Sequence, residues 1–194
     1  MVRVGILGSI GSGKSFVADI FGNFGFNIFS ADEVVAKIYK SNKIVNNKIS
    51  KIFNLKLYKN RIIRDDLREF IKKHPKKFKI LNRIIHPLVR KELIKFLEKN
   101  KNKKLVVLDI PLLIENKLFK FVDIFVFIKT KPEVFNSRIS KRKNLDESFL
   151  KILRKQQLNE KTKESYANFV VFNNSKNKVK LQIKDIINKI KLND

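Results

Sequence analysis

At 194 residues, with 44 Lys and Arg against 18 Asp and Glu and a formal charge of +26, the chain has room for one sizeable α/β domain and not for two. It holds no cysteine and two histidines, which excludes a disulfide framework, a thiolate metal centre and a histidine-based zinc site. No stretch approaches the roughly 20 apolar residues of a membrane helix and no signal-peptide pattern opens the chain, so a cytoplasmic protein without a membrane partner is expected.

The first apolar run, Val2–Leu7, suits a buried parallel strand. It leads into Gly8-Ser9-Ile10-Gly11-Ser12-Gly13-Lys14-Ser15, which satisfies G-x-x-x-x-G-K-[ST], and a helix is predicted over residues 13–24. A strand before the loop and a helix after it are the context this motif requires. Glycines let successive N–H groups turn inward onto phosphate oxygens, and the helix start adds the positive end of its dipole. Lys14 reaches the β- and γ-phosphates in such a loop and the Ser15 hydroxyl ligates Mg²⁺, so the implied ligand is a nucleoside triphosphate.

A short strand over residues 27–29 is followed by Ser30-Ala31-Asp32 and a helical pattern over 31–39. Asp32 therefore sits at the carboxyl edge of the sheet, where open α/β folds bind ligands. It can orient a substrate hydroxyl, accept its proton or help hold Mg²⁺; the alternative is an N-cap for the helix that follows. Residues 41–99 break the strand–helix rhythm, with several helical patterns, little strand signal, and prolines at Pro75 and Pro87. A mostly helical insert is expected there, with His86-Pro87 as a structural turn that places the proline at a helix start.

The apolar strand over 105–108 ends at Asp109, the Walker-B-like arrangement that supports Mg²⁺ in phosphate-loop folds, or simply a strand that stops at Asp and Pro. After it comes Ile110-Pro111-Leu112-Leu113-Ile114-Glu115-Asn116, an apolar turn with a proline that ends in a polar pair. Beyond a strand over 124–128, a basic helical stretch spans 132–161. Its Arg138 and Arg142, spaced i, i+4, either close over a triphosphate as a lid or form a solvated basic face. Arginine at both places, in a chain whose usual cation is lysine, favours phosphate recognition. The last strand is Phe169–Phe172, before a Lys-rich C-terminal segment. Strands alternating with helices argue for a parallel sheet covered on both faces. The basic residues run along the whole chain together with many Asn, Ile and Phe, as an A+T-rich coding sequence produces. Steering of anionic substrates and incidental nucleic-acid affinity are the other readings of the charge, and no specific nucleic-acid partner is expected.

In this order, the phosphate loop, Ala31-Asp32, Arg64-Asp65-Asp66-Leu67, Ile85-His86-Pro87-Leu88, Asp109 through Asn116, Arg138, Arg142, Gln156 and Asn173 resemble the dephospho-coenzyme A kinase family over nearly the whole chain. The resemblance implies a three-layer P-loop NTPase fold in one kinase domain: a core over 1–40, 100–131 and 162–194, a helical substrate-binding insert over 41–99 and a helical lid over 132–161. It implies ATP as phosphoryl donor, Mg²⁺, and phosphorylation of the ribose 3′-hydroxyl of dephospho-coenzyme A by a monomer. Catalytic roles fall to Lys14, Asp32, Arg138 and Arg142; nucleotide binding to Gly11, Ser12, Gly13, Lys14, Ser15, Phe16 and Asn173. Asp32, Arg64, His86, Asp109 and Glu115 would face the acceptor, and Ser15, Asp32 and Asp109 the metal. The alternatives are a kinase for a nucleoside or nucleoside monophosphate and a nucleotide-dependent nucleic-acid-binding protein. Departures from the family pattern are Phe16 where a threonine is usual, Ser30 before Ala31-Asp32, and the stretch from Lys161 to Asn168, which carries lysines and Asn where the family shows an arginine and then Ala-Asp.

Overall fold

The computed structural model describes residues 1–140 and 147–192. In chain order they form β1 (Val2–Leu7), α1 (Lys14–Asn23), β2 (Asn27–Ser30), α2 (Ala31–Ser41), α3 (Lys43–Phe53), β3 (Leu57–Tyr58), β4 (Arg61–Ile62) and α4 (Arg64–Lys73). There follow α5 (Phe78–Lys99), β5 (Leu105–Asp109), β6 (Ile124–Lys129), α6 (Pro132–Ser140), α7 (Glu147–Arg154), α8 (Glu160–Glu164), β7 (Phe169–Phe172) and α9 (Lys176–Leu192). The five apolar runs read as strands become the five strands of one all-parallel sheet, in the order β2-β5-β1-β6-β7.

Chain and sheet order differ at one place, and that place positions the site. β1 and β2 leave a gap that β5 fills, while β6 and β7 add on the other side of β1. The carboxyl ends of β1 and β5 thus lie side by side, with Gly5 opposite Leu108, at the point where an open α/β sheet offers a crevice. Register also sets Ser30, the last residue of β2, beside Asp109.

Two compact units make up the chain. The first holds residues 1–30, the stretch from 100 into α6, and the stretch from 153 onward; the second holds residues 31–99 and most of α7. In the first unit α1 and α9 cover one face of the sheet, where Val4, Ile6, Val17, Phe21, Val107, Val126, Val171 and Ile183 are all fully buried. Gly5 faces the other side, where an added Cβ would come within 2.8 Å of Val122 and 3.2 Å of Leu113. Phe21, in α1, is completely enclosed. Phe21→Ala is expected to lower stability by about 3–5 kcal/mol, read as a lower denaturant midpoint at unchanged slope.

In the second unit α2 packs on α3, α5 and β4, around Ile38, Val45, Ile49, Phe53, Ile62, Leu67 and Ile71. Two expectations for this unit are corrected. First, it contains a β-hairpin: Leu57 pairs with Ile62 and Tyr58 with Arg61. Its two turn residues, Lys59 and Asn60, have φ of 49° and 61°, the doubly left-handed turn that matches strand twist. Second, His86-Pro87 is no turn at a helix start but lies inside the 22-residue α5. Pro87 removes one backbone donor there, yet Leu81, Ile85, Val89 and Leu93 keep an i, i+4 stripe buried on both sides of it, and the proline itself is exposed. Arg83, whose carbonyl would accept from the N–H of residue 87 in an uninterrupted helix, lies on the same exposed face.

Candidate active site

The loop between β1 and α1 takes backbone angles that side chains resist. Gly8, Gly11 and Gly13 have φ of 153°, 85° and 89°, and Gly13 is the left-handed N-cap of α1. A Cβ on Gly8 would sit 3.1 Å from the Ile128 carbonyl, a backbone atom that cannot yield. Lys14 folds back over the loop, its Nζ donating to the Gly8 and Ser9 carbonyls at 3.0 and 2.9 Å. From the neighbouring strand ends, Thr130 Oγ1 and Asn173 Nδ2 donate to the Ser12 carbonyl at 3.0 and 2.8 Å. Asn173 is 1% exposed, so its amide supports the loop from beneath. Phe16 turns away from the loop and packs against the sheet–helix core.

Ser15 Oγ donates to Asp109 Oδ2 at 2.7 Å, joining the start of α1 to the end of β5. Two hard oxygen groups beside a phosphate cradle suit Mg²⁺, which takes one or two protein oxygens and completes its shell with phosphates and water. Among the described residues no three His, Asp or Glu side chains gather as metal ligands, and a site of this type needs no such group.

The turn after β5 is tightly built. Leu112 has φ 59°, an uncommon angle for a branched apolar residue, and Asn116 N and Leu118 N donate back to the Leu112 and Leu113 carbonyls at 2.9 and 3.0 Å. Burial of Leu113 and Ile114 anchors the turn and brings Glu115 to its far end. Glu115 Oε1 accepts from Leu158 N at 2.9 Å and from Lys163 Nζ at 2.9 Å; the Lys163 side chain is 3% exposed and that of Glu115 11%. Glu115 therefore meets α8 and the turn before it.

The remaining candidates belong to the second unit or to the helices after β6. Asp32 is exposed in the first turn of α2, which starts at Ala31 with no intervening loop, so Asp32 is inside the helix and is not its N-cap. Arg64 is the exposed first residue of α4. Its charge acts on Tyr39, whose hydroxyl pKa burial pushes up to about 12 against the opposing pull of Arg64. His86 is half-buried on α5; burial first and the Arg90 charge second hold its pKa below the ordinary imidazole value, so the ring is uncharged at neutral pH. Arg138 falls on α6, and its side chain, like the whole of Arg142, lies outside the described residues.

Within the first unit, then, the structure brings together Gly11, Ser12, Gly13, Lys14, Ser15, Asp109 and Asn173. Sequence reasoning missed Thr130, Gln157, Glu160 and Lys163, all of which bear on the loop or its supports. Lys163 alone had a signal, as part of the stretch where the chain departs from the family pattern.

A family model described as dephospho-CoA kinase matches residues 2–178. The dephospho-CoA kinase of Wolbachia pipientis wMel is 34% identical over 193 residues, covering 98% of each chain. That of Bartonella henselae is 35% identical over 176 residues, covering 88% of each. Among solved structures, the dephospho-CoA kinase from Campylobacter jejuni superposes with a TM-score of 0.67 at 27% identity, covering 97% of this chain and 96% of that one. With this match along nearly its full length and a phosphate loop at the switch point of a five-stranded parallel sheet, the chain belongs to the dephospho-CoA kinase family.

Proposed function

We propose that the chain transfers the γ-phosphoryl group of ATP to the ribose 3′-hydroxyl of dephospho-coenzyme A, giving coenzyme A and ADP, as a cytoplasmic monomer. The observation that carries this reading is the pairing of Ser15 with Asp109 beside a loop already curled around Lys14, at the carboxyl ends of β1 and β5. Phosphoryl transfer asks little covalent help of a protein; its rate comes from positioning and from spreading charge over the transferred group. The loop amides and Lys14 hold the β- and γ-phosphates. Ser15 and Asp109 are the protein oxygens for Mg²⁺, which neutralises phosphate charge when bound. Asp32 aligns the 3′-hydroxyl for in-line attack and takes its proton. Arg138 and Arg142 add guanidinium charge from the lid, and closure of that lid excludes the water that would hydrolyse ATP. Arg64 and His86, on helices of the second unit, complete the acceptor side of the reading.

The test is ADP release, coupled to NADH oxidation, with ATP, Mg²⁺ and dephospho-coenzyme A, with adenosine and AMP as parallel acceptors. Turnover that depends on dephospho-coenzyme A and yields coenzyme A is expected. Turnover with adenosine or AMP in its place would transfer the site to nucleoside or nucleotide phosphorylation.

A further inference from the structure

The phosphate loop is gripped from outside by residues 157–160, none of which has a role of its own in the transfer chemistry. Gln157 Oε1 accepts from Ile10 N at 3.2 Å, and the Ser9 hydroxyl donates to Glu160. Both residues between the first two loop glycines are therefore tied to the turn and first residue of α8. That segment is pinned in its own right. Asn159 Oδ1 caps α8 by accepting from Thr162 N at 2.7 Å, and Lys129, ending β6, pairs with Glu164 at 2.9 Å.

At the centre stands the buried pair of Glu115 and Lys163. Glu115 Oε1 holds two points of the segment, Leu158 N just after Gln157 and Lys163 Nζ on α8, each at 2.9 Å. Charges withdrawn from water this far cost free energy that apolar side chains of equal volume would not, so stability is a poor reason for the pair. What a charged, hydrogen-bonded pair supplies and an apolar contact does not is direction. It fixes the rotation of α8 and the height of residues 157–160 against the turn after β5, the strand that also ends in Asp109.

We propose that Glu115 and Lys163 are positioning residues for the nucleotide: through Gln157 and Glu160 they hold Ser9 and Ile10 so that the loop is preset for the triphosphate before it arrives. A loop with three glycines loses much backbone freedom when it closes on phosphates, and ordering it in advance removes that cost from binding. Glu115 then serves the donor side through the loop and not the acceptor. The inference rests on the ATP-binding part of the function proposed above.

The experiment uses the full chain and compares Lys163→Met, Lys163→Arg and Gln157→Ala with the unmodified protein. Dissociation constants for ADP come from titration calorimetry, since the chain has no tryptophan to report binding, and KM is measured for each substrate. Lys163→Met is expected to weaken ADP binding about tenfold and Gln157→Ala about threefold, with KM for ATP rising in parallel and KM for dephospho-coenzyme A within about twofold of its starting value. Lys163→Arg, which keeps the charge and the donor, is expected to stay within about twofold throughout. A general loss of structure would move both substrates together. The proposal is overturned if ADP affinity is unchanged in Gln157→Ala, or if Lys163→Met and Lys163→Arg lose affinity for both substrates equally. Should Lys163→Met not fold, the half-exposed Gln157 decides the matter. ADP binding is read without an acceptor, so an unmodified protein that binds ADP yet fails to phosphorylate dephospho-coenzyme A would defeat the acceptor assignment and leave this test standing.

Discussion

Asp32→Asn is expected to lower kcat for dephospho-coenzyme A by roughly 10²–10⁴-fold, the range that a positioned general base contributes, while the dissociation constant for ATP stays within about twofold. The exchange keeps the shape of the side chain and its hydrogen-bonding length and removes its charge and basicity. Asp32 occupies the first turn of α2, directly after β2, whose final residue Ser30 is in register with Asp109. It is exposed and makes no cap, so the fold itself asks nothing of its carboxylate beyond a favourable place near a helix N-terminus, worth about 0.3–1 kcal/mol. Loss of rate with retained ATP affinity and an almost unchanged melting temperature is thus the signature of an acceptor-side residue. A kcat within fivefold of the unmodified enzyme, on the order of 1 kcal/mol in barrier height, would take Asp32 out of the proton transfer.

Lys14→Met is the second large effect, and here the donor side fails. The Lys14 ammonium already lies over the loop with two carbonyls at 3.0 and 2.9 Å, so its charge is held in place before phosphate binds. A prepositioned charge acts on the transition state without reorganising, and removing one such group costs about 10²–10³-fold in kcat. Met matches the length of the side chain and removes the ammonium from the Gly8 and Ser9 carbonyls, the second of which keeps only Ser12 N as donor, so weaker ATP binding is expected as well. Lys14→Arg should not rescue it, because a planar fork cannot occupy the space of a compact ammonium inside a curled loop. Steady-state kinetics with ATP varied at saturating dephospho-coenzyme A reads both effects; a kcat within tenfold of the starting enzyme would mean that the loop amides and metal carry the charge without Lys14.

The two variants separate the halves of the reaction. Asp32→Asn spares the nucleotide and Lys14→Met does not, whereas changes at Lys163 and Gln157 are expected to act on nucleotide affinity with kcat largely kept.

The phosphate loop was legible because its conformation is written locally. Three glycines at fixed offsets, an apolar run before them and a helix start after them are all features of neighbouring residues, and Gly8, Gly11 and Gly13 do take the angles that only glycine accepts readily. The three central strands of the sheet, β1, β5 and β6, were legible for a related reason: strands buried on both faces are nearly continuous apolar runs, whereas the edge strands β2 and β7 gave shorter signals. The hairpin at Leu57–Tyr58 and Arg61–Ile62 was not, since two residues per strand carry no period and Lys59-Asn60 lacks the glycine that marks such turns. Pro87 misled because its rule is local, whereas the burial of Ile85 and Val89 on either side, which keeps α5 continuous, is a property of the packed unit.

The same division runs through the site. Which residues handle phosphate, Lys14 and Ser15 above all, and that one aspartate follows the β2 run and another ends the β5 run, the amino-acid sequence determined by itself, because motif chemistry depends on residue type at short spacing. That Ser15 meets Asp109, 94 positions away, that Thr130 and Asn173 prop the loop at Ser12, and that Glu115 closes on Lys163 was decided by tertiary structure alone. Those contacts follow from strand order, in which β5 inserts beside β1 and β6 and β7 line up on its other side. Strand order is fixed by the joint burial of many apolar side chains, a sum over the whole core that no short stretch of sequence contains.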